Sequence, residues 1–217
     1  MQTTNNINFH NADCMEFMKQ IPDKYFDLAI CDPPYGIDVN INMGRRKGDK
    51  KSNYHKFEGG DKLIPSKQYF KQIQRISANQ IIWGGNYFTE YLKPSPCWLL
   101  WDKGFSEDVT FAQFEMAWTS FNSSAKKYDF NAAANTKRIH PTQKPVALYE
   151  WLLSKYAKPN DKIIDTHGGS GSIAIAVDKA NTLDKTNYSL DIIELDKDYF
   201  DASLNRFKQY KSQTTLF

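Results

Sequence analysis

Lys162-Ile163-Ile164-Asp165-Thr166-His167-Gly168-Gly169-Ser170-Gly171 runs into Ser172 to Ala180 and then Tyr188-Ser189-Leu190-Asp191-Ile192-Ile193-Glu194, and the fold turns on this stretch. The apolar run closed by Asp165 reads as a buried strand, the glycines permit a tight turn, and Ser172 to Ala180 is a small-residue helix rich in Ile and Ala. Tyr188 to Glu194 is the next strand, and Asp196 caps a last helix through about Lys211. Strand, glycine-rich loop, helix, strand and acid compose a βαβ unit.

Upstream, Pro145 to Ala157 is a helix with proline in its first turn and Val146, Leu148, Tyr149, Leu152, Leu153 and Tyr156 inward. Apolar runs at Ile7 to His10, Phe26 to Cys31, Gln80 to Trp83, Cys97 to Trp101 and Phe111 to Trp118 read as strands, the last with Ala112, Phe114, Met116 and Trp118 on one face. Asp13 to Ile21 and Ser66 to about Ala78 read as helices, with Tyr69, Phe70, Ile73 and Ile76 inward in the second; Asn86 to Leu92 is a short one. Strands alternating with helices imply one largely parallel sheet covered on both faces, in a single domain over residues 1–217.

No run approaches the roughly 20 apolar residues of a membrane span, and the polar start has no signal-peptide pattern, so a soluble cytoplasmic protein is expected. Cys14, Cys31 and Cys97 form no C-x-x-C pair and read as reduced packing residues. His10, His55, His140 and His167 show no ligand spacing, so no metal is expected.

The formal net charge is +3, but it is unevenly spread. Arg45 to Lys62 holds seven Lys/Arg against three acids, and Lys126 to Lys144 five against one, so the remainder of the chain is mildly acidic. Such runs are commonly solvated faces; here they also read as two basic arms suited to a polyanion such as DNA. The candidates for that contact are Arg45, Arg46, Lys47, Lys50 and Lys51 in a basic loop over 38–65, and Lys126, Lys127, Lys137 and Arg138 in a loop or small lobe over 122–138.

Three further stretches carry chemistry. Asp32-Pro33-Pro34-Tyr35 ends a buried strand at two prolines that cannot extend the ladder, which leaves an acceptor side chain and an aromatic ring together at the strand's carboxyl end. This is a grip for a planar ring bearing an amino group, or else a Pro-Pro turn closed by a half-exposed Tyr. Glu194, at the end of the strand after the glycine-rich loop, can accept both hydroxyls of a ribose. The loop is not G-x-G-x-x-G, so an adenosine cofactor without a pyrophosphate fits better than NAD; a tight turn with a surface acid is the other reading. His140-Pro141-Thr142-Gln143-Lys144-Pro145 places a hydroxyl and an ammonium near the same edge, where Lys144 can hold a carboxylate.

Taken in this order, D-P-P-Y, H-P-T-x-K-P and an F-x-G-x-G-like segment resemble the β-group of S-adenosylmethionine-dependent DNA amino methyltransferases, from about Ile7 to Phe207. The resemblance implies a Rossmann-like α/β methyltransferase fold: a mostly parallel seven-stranded sheet with helices on both faces, circularly permuted so that the catalytic half comes first. It implies that Asp32, Pro33, Pro34 and Tyr35 form the catalytic tetrad, with Asp32 and the Pro33 carbonyl accepting from the target amino group and Tyr35 stacking on a base flipped from double-stranded DNA. It implies an S-adenosylmethionine pocket lined by Asp13, Asp165, His167, Gly169 and Gly171, with Glu194 on the ribose and Thr142 and Lys144 on the methionine part. His167 departs from the family pattern, standing where an aromatic apolar ring is usual.

Adenine N6 is the expected target, with cytosine N4 as the alternative and an inactive DNA-binding protein of the same fold as the reading from another class. The recognition surface is small, so either the site is short or a homodimer shares the task. No restriction-nuclease motif is present, which leaves a solitary or phage-type enzyme beside one from a restriction-modification pair.

Overall fold

Period-2 patterning and buried runs become a single sheet in the computed structural model, which describes residues 2–4, 6–37, 63–105, 112–131, 138–140 and 142–214. Arg45, Arg46, Lys47, Lys50, Lys51 and Lys137 lie outside the described residues. The strands are β1 (Gln2–Thr4), β2 (Ile7–Asn11), β3 (Phe26–Cys31), β4 (Ser77–Trp83), β5 (Trp98–Asp102), β6 (Phe114–Thr119), β7 (Lys126–Asp129), β8 (Lys162–Asp165) and β9 (Ser189–Glu194). The helices are α1 (Cys14–Lys19), α2 (Lys67–Ile76), α3 (Val146–Tyr156), α4 (Ser172–Leu183) and α5 (Lys197–Thr214).

Among the described residues the sheet has nine strands in the order β1-β2-β9-β8-β3-β4-β6-β5-β7. Its central seven match the expected number, and of these β6 alone runs antiparallel to its neighbours. The β8–β9 unit, last in sequence, is inserted between β2 and β3, first in sequence, which is the permuted order in space. The two additional strands lie at the edges, β1 antiparallel on β2 and β7 parallel on β5.

Strand β7 corrects the reading of 122–138 as irregular. Its four residues pair with Leu99 to Asp102, and Tyr128 stacks on Trp151 of α3 at 5.0 Å. Two other expectations change in extent. Ser77 and Ala78 belong to β4 instead of the preceding helix, and Asn86 to Leu92 contributes only a 3-10 turn at Gly85–Tyr87.

Alternation along the strands sends side chains to two cores. Leu28 and Ile30 of β3 join Leu148, Leu152, Ile173, Val177, Leu204 and Phe207 from α3, α4 and α5. Ala29 and Cys31 join Met18 of α1 and Tyr69, Phe70, Ile73 and Ile76 of α2 on the other face. Each such fully buried aliphatic or aromatic side chain contributes about 1.5–3 kcal/mol by area. No described helix is long and apolar enough to cross a membrane.

The parallel register determines where function can lie. Strands β2, β9, β8, β3 and β4 all point their carboxyl ends the same way, so Asp13, Glu194, Asp165, Asp32 and Gly84 follow one another along one edge of the sheet. In open α/β sheets this edge is where ligands bind.

Candidate active site

Strand β3 stops at Cys31 and Asp32 begins the edge. Its Oδ1 accepts from the Tyr35 hydroxyl at 2.5 Å, and its Oδ2 from the Lys144 ammonium at 2.5 Å. Tyr35 is held in turn by glycine: Gly84 has φ +69°, and a Cβ there would lie 2.2 Å from Tyr35 Cε1. The Tyr35 ring stacks on Tyr87 at 5.2 Å and 16°. A planar, partly exposed aromatic surface therefore sits directly beside the Asp32 carboxylate.

Lys144 is almost completely enclosed, its side chain 3% exposed, and such an ammonium needs carboxylates around it. Besides Asp32 it has Glu115 Oε2 of β6 at 3.0 Å, while Lys103 pairs with Glu115 Oε1 at 2.6 Å. Burial works to raise Glu115, but the two ammonium groups outweigh it and hold the acid at about 2. Burial also raises Asp32, against the pull of Lys144. Lys144 itself is raised: burial acts to lower it, and Asp32 and Glu115 prevail. The ammonium expected to face a carboxylate of the cofactor is thus engaged by two carboxylates of the protein.

The glycine-rich loop leaves β8 after Asp165. Gly169 (φ +50°) and Gly171 (φ +67°) make its turn, the Gly168 N–H bonds the Ile193 carbonyl at 2.7 Å, and the Gly169 N–H donates to Glu194 Oε2 at 2.8 Å. Glu194 Oε1 accepts from the Asp196 N–H at 2.9 Å, so one acid joins the loop to the start of α5. Asp165 is buried and accepts from the His167 N–H at 3.0 Å; burial, with Asp32 and Glu194 nearby, pushes it up to about 8.

His167 presents its ring edge-on to Tyr69 at 5.4 Å, and Thr166 Oγ1 bonds both the Tyr69 hydroxyl at 2.7 Å and His167 Nδ1 at 3.0 Å. Burial pulls His167 down to about 4, with Asp13 opposing, so the ring is neutral at pH 7. Asp13 caps α1, its Oδ1 accepting from the Met15 and Glu16 N–H groups at 2.7 and 3.0 Å. The acids and rings expected to meet a cofactor are brought together by neighbouring strand ends.

The H-P-T-Q-K-P segment arrives from the α3 side. His140 is buried, its Nδ1 within 3.1 Å of Thr142 Oγ1, and burial followed by Lys144 pulls it down to about 3. The Lys144 carbonyl accepts from Ser172 Oγ at 2.7 Å, so the segment is fastened to the first residue of α4. Arg206 of α5 completes this junction, Nη1 donating to the Ser170 carbonyl at 2.8 Å and to Ser172 Oγ at 2.9 Å.

Three participants escape a motif-based search. Glu115 and Lys103 belong to no motif, although an acid in the middle of an apolar strand is itself a signal. Arg206 lies on α5, which the sequence marks only by its Asp196 cap. Of the basic candidates, Lys126 and Lys127 are exposed on β7, where Lys127 pairs with Asp102 at 2.8 Å and Asp129 at 2.7 Å, and Arg138 is exposed ahead of the H-P-T-Q-K-P segment.

An open, mostly parallel sheet with a glycine-rich loop, an acid ending the next strand and a carboxylate-aromatic pair along one carboxyl edge has the architecture of nucleotide-binding α/β proteins. A family model described as DNA methylase, of the N6/N4 methyltransferases, matches residues 61–204, and the chain belongs to this family. The type II methyltransferase M2.MboI of Moraxella bovis is 22% identical over 216 residues, covering 79% of this chain and 78% of that protein. Among solved structures, the M1.HpyAVI-SAM complex shares 20% identity with a TM-score of 0.56 over 92% of this chain and 99% of that one. The cytosine-N4-specific PvuII DNA methyltransferase shares 13% identity with a TM-score of 0.64 over 94% and 87%.

Proposed function

We propose that the protein transfers a methyl group from S-adenosylmethionine to the exocyclic N6 of an adenine flipped out of double-stranded DNA. The observation that carries this is the Asp32 carboxylate and the Tyr35 ring side by side at the end of β3, adjacent to the acid-lined glycine loop at the end of β8. The residues present fit the methyl donor. Asp165, raised to about 8 among Asp32 and Glu194, is relieved of repulsion by a cationic ligand, and a carboxylate such as Glu194 has lone pairs beyond those given to Gly169 and Asp196 with which to accept ribose hydroxyls.

When bound, S-adenosylmethionine supplies an electrophilic methyl group on sulfur and leaves as a neutral thioether. Gly169 and Gly171 would let backbone approach it, and Asp13, His167 and Thr142 would help to hold it. Asp32 accepts one hydrogen of the target amine and the Pro33 carbonyl the other, which turns the nitrogen lone pair out of the ring plane; the nitrogen that takes the methyl group gives up one proton through the Asp32 carboxylate to solvent and ends neutral. Tyr35 holds the base plane, with a stack worth ~1–3 kcal/mol. Positioning and fixed charge supply most of the rate.

Cytosine N4 offers the same geometry, and the likeness to the PvuII enzyme favours keeping it as the second reading; the D-P-P-Y form leans to adenine. Modified-base sequencing of DNA from cells expressing the protein identifies base and site together. Asp32→Ala is expected to abolish modification while S-adenosylmethionine binding stays largely intact in equilibrium dialysis. Turnover retained by that variant would sink the assignment.

A further inference from the structure

Lys103, Glu115, Lys144 and Asp32 form an alternating chain of two ammonium groups and two carboxylates, with contacts of 2.6, 3.0 and 2.5 Å. Its outer carboxylate is the one proposed to receive the substrate amine. Lys144 occupies Asp32 Oδ2, placing a positive charge where the amine nitrogen itself becomes positive as the methyl arrives. An ammonium left there opposes transfer, yet a buried ammonium without a carboxylate costs several kcal/mol. It needs a second acid within a side-chain rotation.

Glu115 is that acid. It enters from β6, the antiparallel strand of the central seven, and so brings a carboxylate to the active edge from the opposite chain direction. Its Oε2 is buried and, among the described residues, has no hydrogen bond, although the Lys144 ammonium lies 3.0 Å away. The ring of Trp83 on β4, 5.3 Å from Lys144 Nζ, gives the moving charge an aromatic wall.

We propose that Glu115 is a positioning residue for methyl transfer: it draws the Lys144 ammonium off Asp32 when the substrate amino group docks. This rests on the methyl-transfer function proposed above and deepens it. The ammonium is faced from β3 by Asp32 and Tyr35, and from β6 by Glu115 with Lys103 behind it. Tyr149 of α3, Asp165 of β8 and His140 complete the charged and titratable surroundings. Both tyrosines are held well above their ordinary range by burial, and His140 stays neutral, so Lys144 and Asp165 are the groups that respond in alkaline solution.

The test is single-turnover methyl transfer from labelled S-adenosylmethionine to unmethylated duplex DNA, at saturating donor so that Asp165 is equally ionised in all proteins. In E115Q the departing ammonium has no acid to meet, and transfer is expected to slow on the order of 100-fold, the cost of losing one element of positioning. Dissociation constants for donor and DNA should stay within about two-fold of wild type, a difference of ~0.4 kcal/mol. The ratio of the E115Q rate to the wild-type rate should climb between about pH 7 and pH 10, as Lys144 without its second acid sheds its proton. E115D should recover part of the rate and flatten that ratio.

If E115Q is not recovered folded, K103M/E115Q, which also removes the partly buried Lys103 ammonium, is expected to give the same slow, base-activated transfer. An E115Q rate equal to wild type, or a loss whose ratio is constant with pH, overturns the inference alone. A wild-type protein that binds the donor but methylates no DNA overturns the proposed reaction and this inference together.

Discussion

Three carboxylates within one edge have three different fates because their neighbours differ. Glu115, between two ammonium groups, stays ionised to about pH 2; Asp32, paired with one, is raised by burial; Asp165, paired with none and helped by Lys144 only weakly, is pushed by burial to about 8. Because the folded value of Asp165 lies above the ordinary 3.8, stability is fully present below that ordinary value and lost as pH rises through 8. Asp165→Asn keeps an oxygen for the His167 N–H and carries no charge. Its melting temperature should exceed that of wild type by a margin that widens by several degrees between about pH 5 and pH 9, and a constant margin would show that Asp165 does not titrate in the fold. Gly84 has the opposite sensitivity. With φ +69° and a Tyr35 ring carbon 2.2 Å from where a Cβ would fall, Gly84→Ala should cost about 1–3 kcal/mol in denaturant unfolding and displace the ring from Tyr87. Asp32, Tyr35, Asp165 and Glu194 are legible in the sequence because each follows or ends an apolar run. Glu115 is not: its significance comes from Lys103 and Lys144, which only tertiary structure brings to it.

At the scale of elements, legibility follows how much of an element's reason for existing is local. Helix α2 buries Tyr69, Phe70, Ile73 and Ile76, as the 3.6-residue pattern requires, and β8 and β9 are apolar runs. Strand β7 has a single ring in Lys126-Lys127-Tyr128-Asp129, and its stability comes from pairing with β5 and from Trp151 of α3, distant in the chain. The junction of α4 and α5 with the glycine loop is likewise non-local, since Arg206 reaches back to Ser170 and Ser172 from 36 and 34 residues away. Burial lowers the Arg206 guanidinium, so its two contacts are made at a cost in hydration and must be specific to persist. Arg206→Met should loosen the loop and weaken S-adenosylmethionine binding about ten-fold, or ~1.4 kcal/mol, with the rate at saturating donor close to wild type. Equilibrium dialysis measures the first and single turnover the second; unchanged binding would assign Arg206 to helix packing alone.

The whole molecule presents DNA with an electrostatic problem. At the carboxyl edge Asp32 and Glu115 are balanced by Lys144 and Lys103, Asp165 is held largely uncharged at pH 7, and Asp13 and Glu194 remain, so that edge by itself does not attract a phosphate backbone. Of the Lys/Arg near it, Lys103 and Lys144 are already paired with carboxylates, and Lys127 on β7 is answered by Asp102 and Asp129. Attraction must therefore come from elsewhere in the chain, and the stretch from Arg45 to Lys62, with seven Lys/Arg against three acids, is the strongest source in the sequence. Replacing Arg45, Arg46, Lys47, Lys50 and Lys51 by Gln should weaken binding to duplex DNA and flatten its dependence on salt, by ~0.9 in the slope of log K against log salt for each phosphate no longer neutralised. Replacing Lys126 and Lys127 should alter the slope less, because half of that charge is compensated within the protein. Fluorescence anisotropy across a salt series measures both, and an unchanged slope in the first variant would remove these five residues from the DNA interface. A rate of methyl transfer at saturating DNA equal to wild type in the first variant would confine these side chains to binding, and a lowered rate would give them a part in the transfer itself.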